Sequence, residues 1–276
     1  MLAACNQSWS AVAVYLSSPI SHLPSVKLLT LARDLKRRKA REREGVFVVE
    51  GIRAVEELLR SPLSINGVLA APKLIDSPRG VALLESARSR GIEVDEVDEK
   101  EFRSAAETES PQGIIAIAKT PGHSLDALGE LNQARILLLD AVQDPGNVGT
   151  IIRTAAALGA HATIALPGTV DVWNAKVVRS AMGAHFHYPA FHASWEDVSA
   201  FLNRSSIPVW AADTGGGPLP DRAPDRLALV VGNEGGGVSS AVRAVAERVV
   251  SVPISTSVES LNVAVATGIL LYELRP

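Results

Sequence analysis

Asn147, Arg153, Glu234, Ser260 and Asn262 are the side chains of this 276-residue chain whose types and placement could do chemistry. Asn147 and Arg153 lie in D-P-G-N-V-G-T-I-I-R (144–153), which follows the apolar run Ile136 to Leu139 and Asp140 after Ala141-Val142-Gln143. Glu234 sits among glycines in Gly232-Asn233-Glu234-Gly235-Gly236-Gly237. Ser260 and Asn262 close a polar stretch from Ser255 that carries hydroxyls, the carboxylate of Glu259 and a carboxamide. A helix start requires a single capping side chain, and Ser260 is placed to supply it. The other polar groups exceed what a cap uses. Carboxamides donate and accept hydrogen bonds without charge, and a guanidinium suits a phosphate or a developing anion. Such a set can hold a small polar ligand and set a cation against a phosphate or an anionic transition state.

Several chemistries are excluded by spacing. No His and Asp are arranged with Ser260 as a nucleophilic triad. The glycine loop reads G-x-x-G-G-G, which is neither the dinucleotide fingerprint nor a P-loop. The six histidines show no metal-ligand spacing, and His185 and His187 alternate as on a partly buried strand, with His192 nearby. No metal site is expected.

Alternating elements must position the five residues. In the second half, apolar strands are expected at 135–140, 162–166, 185–188, 208–212, 227–231 and 249–252. Helices are expected at 150–158, 173–181, 195–203, 238–247 and 262–274, with Thr214 to Pro218 a loop. Strands alternating with helices give a mostly parallel sheet, whose carboxyl-end loops form the binding crevice. Asn147, Glu234 and Asn262 each fall in such a loop, with Arg153 able to point towards the mouth of the first. The residues alone therefore predict a small organic ligand held between three loops, and leave the reaction open.

Ahead of this unit, helices at 26–43, 51–60, 78–90 and 98–106 and strands at 45–49, 65–70, 92–97 and 114–118 make a smaller α/β unit. The predicted organisation is a loose extension (1–22), this small domain (23–120), a linker containing a short helix (121–134) and the larger domain (135–276). Apolar residues make up 47% of the chain, enough for a packed core rich in Val, Leu, Ile and Ala. The single cysteine, Cys5, rules out an internal disulfide and fits a reducing cytoplasm. No run of about 18 apolar residues marks a membrane span. The net charge of −3 hides a local patch: Arg33, Lys36, Arg37, Arg38, Lys39, Arg41 and Arg43 lie within eleven residues. These cations form either a solvated helix face or a set of phosphate contacts for RNA.

D-P-G-N-V-G-T-I-I-R-T-A-A-A-L-G (144–159), V-G-N-E-G-G-G (231–237) and V-P-I with S-L-N-V-A-V-A-T-G-I (252–269) resemble, in order and spacing, the three motifs of the SpoU/TrmH family. These are RNA ribose 2′-O-methyltransferases of the SPOUT superfamily. Phe47-Val48-Val49-Glu50-Gly51 and Gln112-Gly113-Ile114-Ile115-Ala116 resemble the family's ribosomal-protein-like substrate-binding domain. Ala264 stands where many members have Ser. The resemblance implies an α/β methyltransferase domain with a deep trefoil knot, a homodimer through that domain, and S-adenosylmethionine in the knot. It places the cofactor around Gly232, Ile254 and Leu261, bordered by Ala212 and Asp213. It assigns catalysis to Asn147, Arg153, Glu234, Ser260 and Asn262, and makes 23S-type ribosomal RNA the expected partner over transfer RNA. The family's suggested proton acceptor corresponds to Arg153. A guanidinium keeps its proton in proteins, so its implied role is to orient the hydroxyl and phosphate and to stabilise a forming alkoxide. A non-catalytic RNA-binding relative and a base-methylating SPOUT enzyme are the alternatives; intact polar motif positions count against the first, and S-L-N against the second.

Overall fold

The computed structural model describes residues 28–255 and 257–275. The expected extension (1–22) and Cys5 lie outside these residues. Two sheets form. The first has strands β1 (Val46–Glu50), β2 (Ile65–Ala70), β3 (Val94–Glu96) and β4 (Ile114–Lys119) in the order β1-β4-β2-β3. Its β1–β4 and β4–β2 pairs are antiparallel and β2–β3 is parallel. Around it lie helices α1 (Leu28–Asp34), α2 (Arg38–Glu44), α3 (Ile52–Arg60), α4 (Pro78–Ser89) and α5 (Glu99–Ala105).

The second sheet takes the order β10-β8-β9-β5-β6-β7 and is parallel at every pairing. Its strands are β5 (Ala134–Asp140), β6 (Ala162–Ala165), β7 (Ala190–His192), β8 (Val209–Gly217), β9 (Arg226–Gly232) and β10 (Arg248–Val250). Helices α6 (Asp126–Gly129), α7 (Pro145–Ala157), α8 (Ala175–Ser180), α9 (Trp195–Arg204), α10 (Ser240–Val245) and α11 (Val263–Glu273) complete it. Every residue of β5 is buried. An unbroken apolar run is what a parallel strand covered on both faces requires. Among the described residues, no helix is long and apolar enough to cross a membrane.

Four expectations are corrected. The basic helix expected at 26–43 is two helices, broken at residues 35–37. There the Arg41 guanidinium takes the carbonyls of Leu35 and Lys36 at 2.6 and 3.1 Å. The strand expected at 185–188 is a 3₁₀ turn over Ala184–Phe186, entered through Met182 (φ 52°) and Gly183 (φ 89°); the strand follows at Ala190–His192. The loop expected at Thr214 to Pro218 belongs largely to β8, which runs on to Gly217 beside β10. Finally, α7 begins at Pro145 and not at Thr150, so Asn147 lies in its first turn.

The two sheets share one apolar cluster. The Phe47 ring of β1 packs tilted against Trp173, just before α8, with centroids 4.4 Å apart, and stacks on Phe186 at 6.2 Å; all three belong to a continuous core that includes Leu137 and Leu139 of β5.

Candidate active site

Three loops meet at the carboxyl ends of β5, β9 and the chain after β10. The first becomes α7. Asp144 caps it by accepting from the Asn147 N–H at 2.8 Å, and Pro145 takes the first helical position, where its missing N–H costs nothing. Gly149 fixes the helix laterally: a Cβ there would lie 2.4 Å from Ser180 Cβ and 2.5 Å from the Val177 carbonyl oxygen. Only glycine lets α7 and α8 approach this closely.

The second loop turns back on itself. Asn233 and Gly237 exchange backbone hydrogen bonds at 3.1 and 2.8 Å, and Asn233 Oδ1 accepts from the N–H groups of Gly235 and Gly236 at 2.8 and 3.2 Å. A Cβ on Gly232 would sit 2.2 Å from Gly237 backbone atoms. Asn233 Nδ2 donates to the Ala141 carbonyl at 2.9 Å, and Asp140 accepts from Ser239 N–H at 2.7 Å. The first and second loops are thereby joined, with Glu234 exposed at the tip.

The third loop enters α11. Asn262 is the cap, its Oδ1 accepting from Ala264 and Val265 N–H at 2.9 and 3.3 Å. Ser260, expected to cap this helix, is exposed and makes no hydrogen bond among the described residues. Asn262 Nδ2 donates to Asn147 Oδ1 at 3.0 Å, and Asn147 Nδ2 donates to Glu234 Oε1. Glu234, Asn147 and Asn262 thus form one polar chain with a fixed direction.

Arg153 stands apart from that chain. It is exposed on α7 and has no hydrogen bond or ion pair among the described residues. It follows Asn147 by six positions of helix, a rise of about 9 Å. The expectation that it points to the mouth of the first loop rested on Asn147 lying outside the helix. The next residue, Thr154, lies against Gly268 of α11, a helix on which Val265, Ile269 and Tyr272 expose 53%, 38% and 51% of their surface.

The expected cofactor residues border the same loops. Gly232 is buried at the end of β9, and Ala212 pairs with Val231 across β8 and β9. Asp213 accepts from Gly215 N–H at 3.0 Å and from Arg243. The Gly215 N–H, followed by Arg243, holds its carboxyl below the usual range against the effect of burial. Ile254 is 36% exposed and Leu261 half-buried. Nothing fills the space a Cβ on Gly236 would occupy, so a ligand could lie against bare backbone there. An apolar side chain, an ionised carboxylate and open peptide edges fit a nucleoside bearing a charged tail. A surface cavity of about 560 Å³ between Trp210, Pro220, Arg222 and Glu247 touches none of these loops.

In the basic segment the expected phosphate contacts are mostly occupied. Arg41 is buried and ion-paired with Asp171 at 2.5 Å, so it is not an RNA contact. Lys36 donates to the carbonyls of Ser104 and Ala106, both at 2.9 Å, and Arg33 to Ser104 Oγ. Arg37, Arg38 and Arg43 pair with Asp34, Glu42 and Glu44 on the surface, where such pairs open at little cost. Among these seven, Lys39 alone has no partner in the described residues.

Sequence reasoning missed Asn233, Arg243 and Asp171. An Asn directly before a glycine-rich turn is an available signal for the first. The other two bond to partners 30 and 130 residues away, and no local pattern marks them.

The profile of the SpoU rRNA Methylase family matches residues 134–272, and that of the MRM3-like substrate binding domain matches 24–116. The 23S rRNA (guanosine(2553)-2′-O)-methyltransferase RlmP of Bacillus subtilis is 37% identical over 245 residues, covering 88% of this chain and 94% of its own. The 23S rRNA (guanosine-2′-O-)-methyltransferase RlmB of Escherichia coli is 32% identical, covering 82% and 96%. The SpoU methyltransferase AviRb of Streptomyces viridochromogenes, solved in complex with the cofactor AdoMet, superposes with a TM-score of 0.80 at 28% identity, covering 90% and 96%. The chain belongs to the SpoU methylase family.

Proposed function

We propose that this SpoU-family chain is an S-adenosylmethionine-dependent methyltransferase that modifies a ribose 2′-hydroxyl in ribosomal RNA. The observation that carries the reading is the chain Glu234–Asn147–Asn262, which ties the three motif loops into one polar surface. The 23S rRNA 2′-O-methyltransferases RlmP and RlmB, aligned along most of this chain, support it.

When bound, S-adenosylmethionine supplies a methyl group on a sulfonium that an oxygen can attack in line. Gly232, Ile254 and Leu261, with Ala212 and Asp213 at the border, would hold it. The chain's own task is to make a poor nucleophile reactive, since a ribose hydroxyl must lose its proton as the new bond forms. Asn147 and Asn262 are locked to each other and to Glu234, so they orient the ribose without reorganising. Ser260, exposed and without a hydrogen bond among the described residues, is available to the same ribose. Arg153 steadies negative charge on O2′ as the proton leaves to solvent water.

Among the described residues no hydrogen bond joins Arg153 to Asn147, and the reading takes Arg153 from a second copy of the chain. The exposed apolar side chains of α11 form the dimer surface. The trefoil knot belongs to the same reading. After β10, at the sheet edge, the Ser251 N–H bonds the Gly217 carbonyl at 2.9 Å, and Asn262 reaches Asn147 beyond the carboxyl end of β5. The domain boundaries near 120 and 134, and Lys39 with the loosely paired arginines of 33–43 as RNA contacts, complete the proposal.

The test mixes two inactive variants. Arg153→Ala should transfer no methyl group while binding S-adenosylmethionine normally by calorimetry, and Asn147→Ala should also be inactive. Mixed and re-associated, they should recover activity, because one of the two sites in a hybrid dimer has both residues. Near-normal turnover by Arg153→Ala removes Arg153 from the mechanism, and failure of the mixture to recover places both residues in one subunit.

A further inference from the structure

Arg41 turns inward from the basic segment and is 5% exposed, opposite Asp171 at 9%. Its Nε and Nη2 both donate to Asp171 Oδ2, at 2.8 and 2.5 Å. Its Nη1 takes the carbonyls of Leu35 and Lys36, the residues that join α1 to α2. One side chain therefore fixes the break between the two basic helices and anchors that break to the second sheet. The other oxygen of Asp171 accepts from Trp173 N–H at 3.0 Å, and the Trp173 ring is already packed on Phe47.

Asp171 lies in the loop after β6, at the same end of the sheet as the methyl-transfer loops. Its neighbours bind the first of them directly. Val170 N–H donates to the Val142 carbonyl at 3.0 Å, and Thr169 Oγ1 to the Leu139 carbonyl at 2.7 Å. Ala141, between those two residues, holds Asn233, and the next residue is Glu234. A short run of hydrogen bonds thus connects the basic segment to the carboxylate that Asn147 binds.

A buried ion pair is weak evidence for stability, because burying its charges costs nearly what the attraction returns. Its effect is on geometry, and this pair sits where geometry between two units would matter. We propose that Arg41 and Asp171 are positioning residues. They hold the RNA-gripping segment of the small domain at a fixed place relative to the methyl-transfer loops, without touching RNA or cofactor. The inference rests on the functional reading above.

The test uses the full chain with an unmodified 23S rRNA transcript. Asp171→Asn removes the charge, and the milder Arg41→Lys keeps the charge but loses the planar grip. In each variant the KM for RNA should rise about ten- to a hundred-fold, as misplaced binding groups do. The kcat at saturating RNA and the S-adenosylmethionine affinity should stay at wild-type values. The double variant should be no worse than the worse single one, because both break the same link. An unchanged KM in folded variants overturns the proposal, as does a fall in kcat with KM unchanged or multiplied effects in the double variant. Hydrogen exchange gives a readout independent of activity. Amides of residues 35–44 should exchange faster in Asp171→Asn while those of 145–157 keep their protection, and uniform acceleration would mark a purely structural pair. Wild-type protein that methylates no RNA would sink the functional reading, while the exchange pattern would still decide the clamp.

Discussion

Asn147 donates through Nδ2 to Glu234 and accepts through Oδ1 from Asn262, a polarity that a carboxamide supplies and a carboxylate or an amine does not. Asn262 does two things at once, capping α11 through its oxygen and orienting Asn147 through its nitrogen. The two roles can be separated. Asn262→Ala should lower stability by about 1 kcal/mol through the lost cap and reduce kcat by about 10²-fold or more, as loss of one positioned donor does. Asn262→Ser should restore the stability, because a serine caps well, but not the turnover. Denaturation midpoints and steady-state rates measure the two effects, and full activity in the Ser variant would show that the Asn147 bond is idle. Much of this site was legible in the sequence, since Asn147, Glu234 and Asn262 were all singled out by loop position. That Asn262 and not Ser260 is the cap could also be read, because Asn262 immediately precedes the apolar run from Val263. Arg41 was not legible: its basic neighbours suggest solvent and RNA, and its partner lies 130 residues along the chain.

At the scale of elements, the turn after α8 shows where pattern fails. A-H-F-H-Y alternates as a strand would, yet the left-handed residues Met182 and Gly183 bend the chain into a 3₁₀ turn that buries His185. Its ring lies 5.0 Å from Trp173, and neither ring nitrogen has a hydrogen-bond partner in good geometry. Burial pushes its pKa down from 6.5 to about 4, with the Val172 backbone and Asp171 pulling weakly upward. The unfolded chain therefore binds a proton in a window where the folded chain does not. Stability should be fully present above about pH 6.5 and fall between 6.5 and 4, by about 3 kcal/mol for this group. Asp171 adds a separate loss at lower pH. Burial would raise its carboxyl, but His192, Trp173 N–H and Arg41 bring it to about 2, so its contribution disappears only as pH falls from 3.8 towards 2. Thermal unfolding followed from pH 7.5 to 4.5 should show the first decline, and His185→Leu should flatten it. An equal slope in that variant would assign the effect to other groups.

For the whole molecule, the parallel sheet and the placing of binding loops at its carboxyl end follow from the order of apolar runs and helices. The packing of the two sheets does not, because Phe47 on Trp173 and Arg41 on Asp171 join residues more than a hundred positions apart. Nor could the sequence show that Asn147 lies inside α7 with Arg153, which depends on the helix starting at Pro145. These features make one account: a small domain that grips RNA, held at fixed register to three loops that align a ribose hydroxyl with a methyl donor. The account is tested most directly by mapping the product. Full-length protein is incubated with unmodified 23S rRNA transcript and S-adenosylmethionine carrying a labelled methyl group, and the RNA is digested to nucleosides for mass spectrometry. The label should reside on the sugar of a single nucleoside whose base fragment is unmodified, and the phosphodiester on its 3′ side should resist alkali. Label on a base fragment, or no label in the RNA, would contradict the account.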